Sequence, residues 1–140
     1  MNKLNRKFEY ALMTLQFFYE NPNSKVSAKE VCEKTGSPFD ATARVMQLMA
    51  HSNILKSVQG VNGGYVLAKD IQAITVLELM ELVTGPVEVA KCVGTSADCE
   101  LIGRCNIQTP VNKMNFKFRE FLSNLKLTDF LISASQKMGV

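Results

Sequence analysis

Apolar residues recur every three or four positions near the start of the chain, and this spacing predicts an amphipathic helix over about Asn5–Tyr19. A stretch rich in turn-forming residues, Asn21–Ser24, ends this first helix. One face of the helix is therefore expected to belong to the core. The apolar positions that form this face are Phe8, Ala11, Leu12, Leu15, Phe18 and Tyr19.

Two short helices joined by a tight turn come next. Ser27 and Glu30 have the spacing of a capping box, which predicts the start of the second helix, and Gly36 suits its end. Ser37 is expected to cap a third helix, which runs to about His51. This pair of short helices has the form of a helix-turn-helix.

A turn rich in Gly and Asn at residues 59–64 separates two short β-forming runs, residues 54–58 and 65–67. This pattern predicts an antiparallel hairpin. A hairpin directly after a helix-turn-helix has the position of a wing, so the order of the elements favours a nucleic-acid-binding domain. A small α+β core with a hairpin on its surface is the alternative.

The second half of the chain predicts two more helices. Thr75 and Glu78 have the spacing of a second capping box, and Gly85–Pro86 ends the short helix that it opens. Thr109 is expected to cap a longer helix, with Pro110 at its first position. The apolar stripe of this longer helix suits packing on its own domain, and it also suits a dimer seam in which each helix packs against its twin. The stripe consists of Val111, Met114, Phe118, Phe121, Leu122 and Leu125.

These elements together predict a mainly α-helical fold with one small β-hairpin. We expect a winged helix-turn-helix DNA-binding domain over residues 1–85 and a cysteine loop over residues 86–108. A long dimerisation helix and a C-terminal segment are expected over residues 109–140. A chain of 140 residues is long enough for one such domain with an added helix.

Charge is distributed unevenly along the chain. Residues 1–69 carry nine Lys or Arg against five Asp or Glu, about +4, whereas residues 70–140 carry seven against eight, about −1. A basic N-terminal half suggests a polyanionic partner, although a solvated face has the same composition. The chain has no apolar run long enough for a membrane span and no secretory segment after its first residues. We therefore expect a cytoplasmic protein with no membrane partner.

Three of the four cysteines, Cys92, Cys99 and Cys105, lie within fourteen residues that also include Gly94 and Gly103. In the cytosol, clustered thiols bind a metal, hold a cluster or form a redox pair. The spacing is not the close pair of a zinc knuckle and no histidine lies nearby, which favours an iron–sulfur cluster over zinc. Three ordinary thiols are the alternative.

No pattern in the sequence points to catalysis. The single histidine, His51, lies far from the clustered cysteines, and there is neither a phosphate-binding loop nor a nucleophile–base pair. The fourth cysteine, Cys32, is expected to pack inward as a small hydrophobic residue. We therefore expect neither enzymatic activity nor a small-molecule substrate.

With these features in order, the chain resembles the iron–sulfur cluster regulators of the IscR/NsrR family over nearly its whole length. The opening Lys3–Leu12, the helix-turn-helix, the wing Gly60–Tyr65 and the three cysteines before a long helix carry the resemblance. It implies a homodimer that represses transcription by binding a double-stranded DNA operator, with the third helix in a major groove and the wing at the adjacent minor groove. It also implies a 2Fe–2S or 4Fe–4S cluster that changes operator affinity. Family members sense cluster supply, nitric oxide, iron or redox state.

The chain departs from the family pattern in several positions. Six residues separate Cys92 from Cys99, where the family commonly has five, and Gln108 stands where some members have a histidine ligand. Other members take a carboxylate from the partner subunit, and Glu9 matches that position. The resemblance therefore points to Glu9 as a fourth ligand supplied in trans, with a plain surface carboxylate as the alternative. In the wing, Gln59 replaces a common arginine, which would gain more from a narrow minor groove.

The predicted dimer presents one third helix to each half-site of an operator, and the half-sites lie about 34–36 Å apart. Lys3, Arg6 and Lys7 are expected to contact phosphates, and Arg44 a base edge or a phosphate. The full set of candidate DNA contacts is Lys3, Arg6, Lys7, Ala28, Ser37, Phe39, Asp40, Thr42, Arg44, Gln47, His51, Lys56, Gln59, Asn62 and Gly63.

Two other functions fit parts of the same pattern. A regulator of the same fold that senses thiol oxidation would use the three clustered cysteines without a cluster. A scaffold or carrier would hold an iron–sulfur cluster and pass it on, with the helix-turn-helix used for protein contact.

Overall fold

The computed structural model describes residues 3–94 and 97–133, and its helices and strands follow the predicted order. Short 3-10 turns at Ile71–Ala73 and Leu127–Asp129 flank the last two helices. The main elements are α1 at Arg6–Glu20, α2 at Ala28–Thr35, α3 at Phe39–His51, β1 at Leu55–Val58, β2 at Gly64–Leu67, α4 at Val76–Thr84 and α5 at Gln108–Asn124.

Helix α1 lies at the centre of the core, packed against α3 and α4. Its buried side includes Phe8, Leu15 and Phe18, which recur at the helical period that predicted the element. Asn5 caps the helix, because its side-chain oxygen accepts a hydrogen bond from the Lys7 backbone N–H at 2.8 Å. The predicted first helix is confirmed to within one residue at each end.

The connection between α2 and α3 begins as predicted. Ser27 and Glu30 form both hydrogen bonds of the capping box at the start of α2. Gly36 ends the helix with a φ of 74°, a left-handed conformation that a residue with a side chain adopts only at a cost. These two signals fix the direction in which the chain enters α3.

Ser37 does not cap α3, contrary to the prediction. Pro38 occupies the N-cap position, and no side chain caps the helix. Ser37 is buried, and its hydroxyl oxygen accepts a hydrogen bond at 2.9 Å from the hydroxyl of Thr42, which is fully buried. A second hydroxyl, that of Thr35, lies 2.8 Å from it. The buried Thr42 hydroxyl needs a partner, and Ser37 supplies it instead of turning toward the helix end.

The predicted hairpin is confirmed. Strands β1 and β2 pair antiparallel, with Leu55 opposite Leu67 and Val58 opposite Gly64. An isolated bridge between Val26 and Tyr65, with backbone hydrogen bonds of 2.9 and 2.8 Å, attaches the hairpin to the segment before α2. The hairpin therefore keeps a fixed position beside the helix-turn-helix.

Helix α4 has half of its predicted capping box. Thr75 accepts a hydrogen bond from the Glu78 backbone N–H at 3.1 Å, but the Glu78 carboxylate pairs with the Lys69 ammonium at 2.6 Å.

Helix α5 starts at Gln108, so Thr109 lies inside it and does not cap it, contrary to the prediction. A proline is tolerated in the first turn of a helix, which lets α5 begin ahead of residue 110.

The apolar stripe of α5 divides between the core and the surface. Leu122 is buried, and Phe118 and Leu125 pack against the core from partly exposed positions. Met114 and Phe121 are 57% and 59% exposed. Only part of the stripe therefore packs on its own chain, and the rest forms an uncovered apolar face.

The segment after α5 returns to the core. Lys126 forms an isolated bridge with Thr75, and the Ile132 backbone N–H donates to the Gln16 side-chain oxygen at 3.0 Å. Residues 134–140, the end of the predicted C-terminal segment, lie outside the described residues. Within the part of the chain that is described, none of the helices has the length and apolar character that crossing a membrane requires.

Candidate nucleic-acid interface and cysteine loop

The outer face of α3 carries several of the residues predicted to contact DNA. Asp40, Arg44, Gln47 and His51 are exposed. They occupy the side of α3 opposite its buried residues, which include Val45 and Met49. Helical spacing thus leaves a row of polar side chains free for contact with another molecule.

Two residues predicted as DNA contacts face the core instead. Thr42 has no exposed surface, and Ser37 is only 9% exposed. Their hydroxyls bond to each other, so neither side chain is available to a base, and both predictions are corrected. A third candidate, Ala28, lies half-buried at the first position of α2.

An open groove of about 480 Å³ separates the C-terminal end of α3 from the hairpin. Gln47 and His51 line one side, and Lys56 and Tyr65 of the hairpin line the other. The groove carries a cationic side chain beside hydrogen-bonding groups, which suits a phosphate backbone lying between helix and wing.

The tip of the hairpin is uncharged and exposed. Gln59 and Asn62 are exposed, and Val61 between them is fully exposed. A Cβ on Gly63 would lie 2.8 Å from the Val58 carbonyl oxygen and 2.9 Å from that of Gly60, so the turn itself requires glycine there. We define the reading head as α2, α3 and this hairpin.

The start of α1 lies beside the cysteine loop. Lys3 lines an open cavity of about 590 Å³ together with Pro86 and Glu88, which precede the first clustered cysteine. Arg6 pairs with Glu9 at 2.9 Å, so two predicted site residues neutralise one another within the chain. Lys7 is exposed.

The three clustered thiols, Cys92, Cys99 and Cys105, are free and partly exposed. The loop turns at Gly94 and Gly103, which have φ values of 88° and 86°. Three soft thiolate donors suit an iron–sulfur cluster. Within residues 3–94 and 97–133, however, no three His, Cys, Asp or Glu side chains are close enough together to hold a metal ion. The donors are present and accessible, but this conformation of a single chain does not gather them.

Cys32 is only partly buried, and its sulfur lies 3.8 Å from the Ser37 hydroxyl oxygen. It sits on α2, in the reading head, and not in the cysteine loop. The expectation that Cys32 packs inward is therefore met only in part.

A group of polar contacts fixes the beginning of the cysteine loop to α4 and α5. Arg119 of α5 donates to a Glu81 carboxylate oxygen of α4 and, at 3.2 Å, to the Val87 carbonyl oxygen. The same Glu81 carboxylate accepts from the Val87 backbone N–H at 3.1 Å. Asn115 of α5 accepts from the Val89 backbone N–H at 3.0 Å. We call these contacts the Glu81–Arg119 clamp.

Burial raises the pKa of the Glu81 carboxyl, but the hydrogen bonds from Arg119 and from the Val87 N–H, with the charge of Arg119, outweigh it and lower the pKa overall. A folded-state pKa below the unfolded value means that the ionised carboxylate stabilises the fold above about pH 4.3. That stabilisation is lost as the pH falls through the folded-state pKa.

We expect Glu81→Gln to lower the free energy of unfolding at pH 7 by about 0.5–1 kcal/mol, a small effect because both side chains of the pair are about one third exposed. The difference between variant and wild type should shrink as the pH falls below about 4.3 and should vanish below the folded-state pKa of Glu81, where the wild-type carboxyl is protonated and uncharged. Urea unfolding at pH 7 and in acid measures both effects. Glu120→Gln, on the exposed side of α5, is the control, and an undiminished difference in acid would contradict the prediction.

The whole chain is similar in sequence to known transcriptional regulators. The Rrf2 family model, described as "Iron-dependent Transcriptional regulator", matches residues 4–132. The HTH-type transcriptional regulator IscR of Yersinia pseudotuberculosis is 25% identical over 130 residues, which cover 92% of this chain and 79% of that protein.

Two solved structures have the same fold. CymR of B. subtilis, described as the global cysteine regulator of that organism, superposes with a TM-score of 0.71 at 19% identity and covers 94% of this chain and 97% of its own. T. potens IscR superposes with a TM-score of 0.64 at 22% identity and covers 92% of this chain and 85% of its own. The predicted winged helix-turn-helix fold is confirmed, and the matched proteins are regulators, not enzymes.

Proposed function

Because this chain belongs to the Rrf2 family of transcriptional regulators, we propose that it is a homodimeric, DNA-binding repressor whose operator affinity is switched at the cysteine loop. One observation carries the proposal: the Glu81–Arg119 clamp joins the first residues of that loop to both α4 and α5. A change in the loop therefore acts directly on two helices. The cytoplasm is the compartment in which such a protein meets DNA and in which thiols stay reduced.

We infer that the switch is an iron–sulfur cluster, of the 2Fe–2S or 4Fe–4S type, held by Cys92, Cys99 and Cys105. When bound, such a cluster supplies a centre that responds to redox state, iron, cluster supply or nitric oxide. Because the three thiols are accessible but apart, holding a cluster requires the loop to close around it. Glu9 is the candidate fourth ligand, supplied to the loop of the partner subunit. Its ion pair with Arg6 would have to open first.

The exposed face of α3 is the proposed base-reading surface. Arg44 suits a guanine edge or a phosphate, while Asp40 and Gln47 offer polar groups to other base edges. Lys56 and His51, across the groove between α3 and the hairpin, are placed for a phosphate backbone. The uncharged wing tip contacts the minor groove through amide groups, without the arginine that many members use.

The required coupling between loop and operator is modest. A coupling free energy of about 1–3 kcal/mol changes affinity roughly 5–150-fold. Rearrangement of the loop would pull on the backbone of Val87 and Val89, where α4 and α5 hold it. Since α4 packs against α1 and α3, the relative placement of two reading heads in a dimer would change.

The proposed function predicts sequence-selective, salt-dependent binding of double-stranded DNA. Duplexes selected from fragmented genomic DNA should bind with an affinity that falls with salt, at a log–log slope of about −0.9 per phosphate contact. Lys56→Gln should make this slope shallower by about two contacts, one in each half-site, because Lys56 lines the groove of each protomer. Gel-shift titrations over a salt series measure the slope.

Lys113→Gln, which removes the same charge from α5, is the matched control and should leave the slope unchanged. Binding with no preference among DNA sequences would contradict the proposed interface. A salt slope that Lys56→Gln leaves unchanged would contradict it as well.

A further inference from the structure

Helix α3 presents one large apolar side chain to solvent, at its first position. Phe39 is 55% exposed, whereas Val45, Met46 and Met49 of the same helix are buried. All thirteen residues of α3 are described, and among them Phe39 is the only large apolar side chain that is more than half exposed. The fold itself therefore does not use most of this aromatic surface.

Phe39 lies on the face that is proposed to read DNA. Residues four apart lie on one line of a helix, so Phe39, Ala43 and Gln47 form a row along the exposed side. Asp40 and Arg44 form the neighbouring row. The row that begins with Phe39 is apolar at its N-terminal end and polar further along.

The N-terminal part of the second helix of a helix-turn-helix is the part that contacts base edges. A phenyl ring has no hydrogen-bond donor or acceptor to match a base edge. The thymine 5-methyl group is the apolar feature that the bases present in the major groove. The Phe39 ring is therefore suited to contact a thymine methyl group and not the hydrogen-bonding groups of the other base edges.

We propose that Phe39 reads a thymine 5-methyl group and makes this protein prefer thymine at one defined position in each half-site. The inference rests on the proposed function, because it requires α3 to lie in the major groove. Loss of one buried methyl contact weakens binding about three- to fivefold. Two equivalent half-sites together should give a loss of about tenfold or more.

The test uses the DNA duplex selected by the wild-type dimer. Each thymine is replaced in turn by deoxyuridine, which removes only the 5-methyl group, and affinity is measured by gel shift. Wild-type protein should lose about three- to fivefold at one thymine of a half-site. Phe39→Ala should bind the unmodified duplex more weakly and show no further loss at that thymine, whereas Phe39→Leu should keep part of the discrimination.

Phe116→Ala is the matched control, because Phe116 is 64% exposed but lies on α5, away from the reading head. It should keep the wild-type loss at every position. Equal deoxyuridine losses in wild type and Phe39→Ala, with selective binding intact, would overturn the role of Phe39 alone. Absence of sequence-selective binding by wild-type protein would overturn the proposed function and the role of Phe39 with it.

Discussion

Replacing Cys99 by alanine is expected to abolish the visible iron–sulfur absorption that wild-type protein acquires on anaerobic incubation with ferrous iron, sulfide and a thiol reductant. The reason is the small donor set. The cysteine loop offers only Cys92, Cys99 and Cys105 as soft ligands, and loss of one leaves two thiolates where a cluster needs several. Absorption spectra and native mass measurements, made without exposure to air, test the expectation.

The same substitution should remove the response of operator binding to reconstitution. If wild-type affinity changes 5–150-fold between the two states, Cys99→Ala should show a change close to onefold. Cys32→Ala is the matched control, because this thiol lies on α2 and is separate from the cysteine loop. It should keep both the absorption and the response.

Two outcomes would contradict the cluster. Full iron and sulfide incorporation after loss of two of the three cysteines would show that the metal is held elsewhere. Wild-type protein that stays colourless, yet loses operator binding reversibly on treatment with peroxide, would favour the thiol-oxidation sensor instead. The partial exposure of all three thiols makes that second function chemically accessible.

Replacing Phe121 by glutamate is expected to convert a dimer into a monomer and to weaken operator binding by about 10²–10⁴-fold. Phe121 and Met114 lie on one side of α5 and are more than half exposed in a single chain. A second copy of α5 would cover them, and a buried, unpaired carboxylate would strongly disfavour that contact. Loss of the dimer removes the gain that comes from binding two linked half-sites.

Sedimentation and titration of one- and two-half-site duplexes measure this effect. Phe116→Glu is the control, since residue 116 lies about 140° around the helix from residue 121 and should tolerate a charge. Both variants should stay folded, because Leu122 still anchors α5 to the core. Thermal unfolding checks this. A dimer that survives Phe121→Glu would contradict the proposed seam.

Local signals in the sequence were sufficient for most of the fold. Ser27 with Glu30, and Gly36 in a left-handed conformation, place α2 correctly because a helix end is determined by a few adjacent residues. The Gly- and Asn-rich turn predicts the hairpin in the same way. Ser37 and Thr109 were misassigned, because a buried hydroxyl partner and a proline in the first turn overrode the local preference for a capping residue.

The candidate site was less accessible to sequence reasoning. Glu81 and Arg119 are far apart in the chain and belong to different helices, and each looks like an ordinary surface charge when read alone. The burial of Thr42 was hidden because threonine suits either face of a helix. The sequence located the three clustered cysteines, but only tertiary structure connects their loop to α4 and α5.

The Glu81–Arg119 clamp also bears on how far the length of the cysteine loop can vary. The clamp holds the backbone of Val87 and Val89 at the start of the cysteine loop, and the loop ends where α5 begins at Gln108. Loop-closure entropy changes slowly with length, by about 0.6 kcal/mol for a doubling. One extra residue between Cys92 and Cys99 therefore costs almost nothing in stability. We therefore expect that a loop of different sequence can replace the cysteine loop without unfolding the DNA-binding domain, and under the proposed function this would change the signal to which the domain responds.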